Sequence, residues 1–91
     1  MHTNLDRIGL LAGAGEVPIY FARKASQHGI KLISIGFSDE IQNGLAPFSE
    51  KSYSIGVGQP GKIFETLHQN NVKDLLILGK VDKSVVFKLQ K

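Results

Sequence analysis

The stretch Arg7-Ile8-Gly9-Leu10-Leu11-Ala12-Gly13-Ala14-Gly15-Glu16-Val17-Pro18 reads as a strand, a tight turn and the start of a helix. Its first six residues form a nearly continuous apolar run. Such a run suits a strand covered on both faces, as in a parallel sheet. Gly13 and Gly15 let the chain turn sharply, and Pro18 falls in the first helical turn, where its missing N–H costs nothing. From Val17 to His28 the spacing predicts a helix. Val17, Tyr20, Phe21, Ala22 and Ala25 form its apolar face, with Arg23, Lys24 and Gln27 opposite. Glu16 complements the positive end of the helix dipole, His28 lies near the negative end, and Gly29 closes the helix.

The same grammar repeats along the chain. Lys31–Gly36 and Asp74–Gly79 are further continuous apolar runs that end at glycine, and both are expected to be covered on two faces. Lys51–Ile55 alternates polar and apolar residues and is expected at a sheet edge. Between them, Ser38–Leu45 reads as a short helix or loop. Lys62–Asn70 reads as a helix with the stripe Ile63, Phe64 and Leu67, stopped by Asn70-Asn71. Ser84–Gln90 reads as the start of another helix. Strands alternating with helices place the chain in the α/β class. The expected architecture is a Rossmann-like short parallel sheet of about four strands, flanked by helices and joined by right-handed crossovers. Residues 1–91 are expected to form a single domain whose last element is cut short.

Composition narrows the function classes. Hydrophobic residues make up 42% and charged residues 21%, which fits a globular chain and excludes a disordered one. A chain of this length buries only about 60–65% of the surface its unfolded form exposes, so its stability margin is thin. No cysteine is present, which removes disulfides, thiolate zinc sites and thiol nucleophiles. No run approaches the roughly 18–20 apolar residues of a membrane span, and Ile8–Ala12 is too short for a signal peptide. A cytoplasmic setting is the expectation. The net charge of +3 equals the excess of Lys80, Lys83, Lys88 and Lys91 over Asp82 in the tail. That tail is read as a solvated helix face or a surface that meets further chain, with no nucleic-acid partner.

Ligands of open parallel sheets bind beyond the carboxyl ends of the strands, so three glycine-bearing turns are expected to converge there. Gly13-Ala14-Gly15 offers backbone N–H groups to an anion at a helix N-terminus. It resembles the dinucleotide fingerprint, but Pro18 replaces the third glycine, and the acidic residues Asp39 and Glu40 come late for a ribose contact. The other reading of these glycines is a tight turn and nothing more. Gly56-Val57-Gly58-Gln59-Pro60-Gly61-Lys62 lacks the spacing of a Walker loop, yet it offers the Gln59 amide, the Gly61 backbone and the Lys62 cation to a phosphate. Lys80, in Gly79–Lys83, follows the last strand and is expected to face the same crevice. His2, His28 and His68 have no metal spacing, the carboxylates show no paired logic, and no serine sits in a nucleophile elbow. No catalytic residue is assigned. The parts present are binding parts.

Gly9–Pro18, then Val57-Gly58-Gln59-Pro60-Gly61-Lys62-Ile63-Phe64, then Leu78-Gly79-Lys80-Val81, in that order and spacing, resemble the N-terminal domain of bacterial UDP-2,3-diacylglucosamine pyrophosphatases of the LpxI type. The resemblance spans Arg7 to Phe87. It departs from the family at Lys83-Ser84, where many members read Arg-Pro, and at Pro60, where a bulkier apolar residue or another type is common. The resemblance implies hydrolysis of UDP-2,3-diacylglucosamine to lipid X and UMP, in lipid A biosynthesis. It implies a divalent metal, magnesium or manganese, that this domain alone does not bind. It also implies a larger C-terminal domain, absent from this chain, that carries the catalytic acidic residues and encloses the ligand. On the matching positions, Gly13, Ala14, Gly15, Gln59, Gly61, Lys62 and Lys80 become candidate substrate contacts.

Three readings of function follow. The first is the substrate-side domain of that hydrolase, inactive by itself. Its expected partners are the substrate or its products and the C-terminal domain, in the cytoplasm or peripherally at the inner membrane. The second is a stand-alone nucleotide- or dinucleotide-binding module, for which NAD is the test ligand and Asp39 the test residue. The third is a structural domain that forms a homodimer through exposed apolar surface.

Overall fold

The computed structural model describes residues 7–80. Four strands, β1 (Arg7–Ala12), β2 (Lys31–Gly36), β3 (Lys51–Ser54) and β4 (Leu75–Leu78), form one sheet in the order β3-β2-β1-β4. Every pairing is parallel: Leu10 lies opposite Ser34 and Leu76, and Ile35 lies opposite Tyr53. Three helices connect the strands: α1 (Val17–Gln27), α2 (Asp39–Leu45) and α3 (Pro60–Gln69). This is the Rossmann-like α/β arrangement that the alternation of elements predicts.

The two faces of the sheet are covered by different helices. Leu10 and Ala12 of β1 and Leu32 of β2 pack with Ala22 and Ala25 of α1 and Leu45 of α2. Leu11 and Ile35 point the other way, against Ile63 and Leu67 of α3 and Ile55. Burial on both faces explains why β1 and β2 are apolar at nearly every position. Ser34 is the polar exception. It is fully buried, and its hydroxyl lies 2.6 Å from that of Ser49, which in turn donates to the Leu45 carbonyl at 2.8 Å. The pair satisfies groups that would otherwise be costly to bury.

Element ends follow from local chemistry. In α1, His28 is the C-cap and Gly29 takes a φ of 78°. Asn71 stops α3 in the left-handed region, at φ 58°, which asparagine tolerates better than most residues. Ser38–Leu45 resolves as a helix rather than a loop: the Ser38 hydroxyl accepts from the Ile41 N–H at 3.3 Å and caps α2. A short 3-10 turn, Ala46–Phe48, then leads to β3, which lies at the sheet edge as its alternating pattern predicts. α3 begins at Pro60, two residues before the expected Lys62, because the fixed φ of proline suits the first helical position.

Three expectations about apolar residues need correction. Val17 and Tyr20 are not core residues of α1; both are more than half exposed. At 3.6 residues per turn the buried stripe is Pro18, Ala22 and Ala25, which leaves Val17, Tyr20 and Lys24 on the outer side. There the Lys24 ammonium lies 5.6 Å from the Tyr20 ring centre. Phe64 is also outside the core, at 63% exposed, while Ile63, Thr66 and Leu67 form the buried face of α3. Finally, β4 is not covered on both faces. It is the second edge of the sheet, and Leu75 and Ile77 alternate outward at 41% and 61% exposed.

Candidate functional site

The all-parallel sheet brings the three glycine turns to one end, beyond the carboxyl ends of β1, β3 and β4. It joins only two of them. The first turn and the last pair through backbone: Gly13 N–H donates to the Leu78 carbonyl at 2.8 Å, and Ala14 and Lys80 exchange N–H···O bonds of 2.9 Å each. A Cβ on Gly13 would lie 2.8 Å from the Lys80 carbonyl carbon, and one on Gly79 would lie 2.8 Å from the Gly13 carbonyl carbon. Both glycines are therefore needed for a backbone crossing that ties β1 to β4. The N–H groups of Gly13 and Ala14 are spent on it.

The open donors lie just beyond. Among the described residues, the amides of Gly15, Glu16 and Val17 donate to no backbone carbonyl. Glu16 stands at the N-cap without a side-chain cap bond, so no side chain competes for them. Gly15 has a φ of 108°, a conformation that favours glycine, and the space where a Cβ would stand is empty. Its backbone is thus accessible from outside, as close approach to a ligand requires.

Beside these amides lies a cleft of about 270 Å³. One wall is Gly13, Ala14 and Gly15 with Pro18 and Ile19 of α1. The other is Ser38, Glu40 and Ile41 at the start of α2. Sequence reasoning missed this second wall. Its signal was the serine N-cap, which puts Glu40 and Ile41 in the first turn of a helix that starts next to α1. Asp39 is turned elsewhere: its Oδ1 accepts from the Ser54 hydroxyl at 2.6 Å, across toward β3.

The remaining candidates stand apart from the cleft. Gln59, Gly61 and Lys62 open α3 after β3, two strands away from β1, or roughly 10 Å at the usual strand spacing. Gly61 has ordinary helical freedom, with nothing within 4 Å of a Cβ. Lys62 sits in the first turn of α3, which contains no acidic residue. A cation at the positive end of a helix is unfavourable for folding, and no described residue forms an ion pair with it. Lys80 is exposed beside the cleft wall that its backbone braces.

Magnesium or manganese finds no fitting donor set here, because among the described residues no three His, Cys, Asp or Glu side chains cluster to hold an ion. No described helix is long and apolar enough to cross a membrane. The Asp82, Lys83 and Ser84 positions, the rest of the basic tail and the expected Ser84–Gln90 helix lie outside the described residues.

Comparison with known families matches the chain to the LpxI N-terminal domain over residues 7–91. No curated protein and no solved structure matches the chain. Because the family match begins where β1 begins and takes in every strand, helix and glycine turn described above, the chain belongs to the LpxI N-terminal domain family, a domain of a lipid A biosynthesis enzyme.

Proposed function

We propose that this chain is the substrate-side domain of a UDP-2,3-diacylglucosamine hydrolase, which forms lipid X and UMP, and that residues 1–91 alone do not turn the substrate over. The observation that carries the reading is the family match over residues 7–91. The geometry agrees with it. The accessible turn at Gly15, the nearby cleft and the cation at Lys62 all lie at the carboxyl end of the sheet, where a phosphate-bearing ligand is expected. In this reading Gly13, Ala14, Gly15, Gln59, Gly61, Lys62 and Lys80 line the substrate side. A C-terminal domain supplies the acidic catalytic residues and the divalent metal, and the enzyme works in the cytoplasm or peripherally at the inner membrane.

The test is a hydrolysis assay on UDP-2,3-diacylglucosamine with residues 1–91 alone and with the full-length enzyme. The expected result is no turnover by the short chain and metal-dependent release of UMP by the long one. Turnover by the short chain would refute the division of labour, and none by the long one would refute the substrate. A second reading, a stand-alone nucleotide module, draws on the position of the cleft between the turns after β1 and β2. An amide NMR titration separates the two. A response to UDP and not to NAD supports the hydrolase domain. A response to NAD alone supports the module.

A further inference from the structure

We propose that the cleft between the Gly13–Gly15 turn and the start of α2 takes the ribose of the nucleotide, and that Glu40 is the residue that selects it. The inference rests on the reading above that the ligand is a uridine nucleotide, and it assigns one half of that ligand to this cleft.

The argument begins with the two neighbouring carboxylates after β2. Asp39 is committed to the Ser54 hydroxyl at 2.6 Å and does not line the cleft. Glu40 does line it, as an exposed residue, and no described residue donates a hydrogen bond to its side chain. An ionised carboxylate is an acceptor only, so the group that meets it must present donors. A phosphate cannot do this and would be repelled. A pair of adjacent hydroxyls can, since the two carboxylate oxygens accept one hydrogen each. The rest of the lining agrees. Pro18, Ile19 and Ile41 are apolar and suit the carbon face of a sugar ring or a base. A cleft of about 270 Å³ is below the usual range of about 300–1,000 Å³ for a complete small-molecule site, so it suits part of a ligand. The position is the one where open parallel sheets hold a ribose, next to the carboxyl ends of β1 and β2. By sequence, Asp39 and Glu40 both come late for a ribose contact, and Asp39 is only the test residue of the dinucleotide reading. The structure assigns the contact to Glu40.

The experiment is an amide NMR titration of the chain with UMP and with its 2′-deoxy analogue, repeated on Glu40→Gln and Asp39→Asn. UMP is expected to shift the amides of Gly13–Glu16 and Ser38–Ile41. The deoxy analogue should bind about tenfold more weakly, the effect of losing a hydrogen bond to a charged group. Glu40→Gln should shrink that difference severalfold, and Asp39→Asn should leave it unchanged. Equal binding of the two nucleotides, or a preference that survives Glu40→Gln, overturns the proposal. So does a UMP response confined to Gly58–Lys62, which would leave the hydrolase reading standing. No response to UMP anywhere also overturns it, and turnover by the full-length enzyme then judges the hydrolase reading separately.

Discussion

Gly13 and Gly61 both belong to glycine turns that resemble ligand loops, yet their surroundings differ. Gly13 touches the Lys80 backbone, so Gly13→Ala must push β1 and β4 apart at their carboxyl ends. The expected cost is about 1–3 kcal/mol, as for other overpacked sites, read as a lower urea midpoint. Gly61 sits in α3 with free space around it, so Gly61→Ala should be neutral or stabilising by up to about 1 kcal/mol. If Gly61→Ala also weakens UDP binding, the glycine is kept for close approach of the ligand. Lys62 is a similar case. Lys62→Ala should leave the fold intact and raise stability by a few tenths of a kcal/mol at most, since it removes a cation from the wrong end of a helix. In the full-length enzyme the same substitution should lower kcat/KM. Unchanged kinetics would take Lys62 out of the site.

At the scale of elements, β2 and β4 look alike as sequence and differ as structure. Both are apolar runs, but β2 is an inner strand between two layers of helix, whereas β4 is an edge among the described strands, and its Leu75 and Ile77 are exposed. Ile35→Ala should therefore cost about 2–5 kcal/mol, because it opens a cavity at a fully buried position. Ile77→Thr should stay within about 0.5 kcal/mol, as for an ordinary surface change. Thermal unfolding of the two variants reads both values, and a large loss in Ile77→Thr would mean that something covers β4 in solution. The helices divide in the same way. The apolar residues of α1 and α3 are more numerous than the stripe each can bury, so Val17, Tyr20 and Phe64 remain outside.

Across the whole molecule, stability should be graded from the middle of the sheet outward. β1 and β2 are paired on both sides and carry the residues of both core clusters. β3 and β4 are each paired on one side and have only four residues. Amide hydrogen exchange should be slowest at Leu10, Leu11, Ile33 and Ser34 and at least tenfold faster in β3 and β4, as expected where sheet edges open before the centre. Uniform protection across all four strands would contradict this gradient. The Arg7 side chain adds a tie at the opposite end from the cleft. It donates to the Asn70 carbonyl at 3.1 Å and lies 3.4 Å from Glu50. Both charges are partly exposed, so this pair contributes at most about 1 kcal/mol.

Sequence by itself determined the elements and the class. Continuous apolar runs marked β1 and β2, alternation marked β3 as an edge, and proline, glycine and asparagine marked the helix ends. These signals are local: they come from backbone angles, missing donors and side-chain period, which neighbouring residues set. The glycine turns and their family resemblance were legible for the same reason. Tertiary structure alone decided the rest. Gly13 is explained by Gly79 and Lys80, far along the chain, so no local pattern could show that its N–H is spent on a strand crossing. Which apolar residues face water depends on strand order, which made β4 an edge, and on where each helix crosses the sheet. The cleft has one wall from the turn after β1 and another from the start of α2. Only packing brings those two together and makes Glu40 part of the lining, while Asp39 is held by the Ser54 hydroxyl.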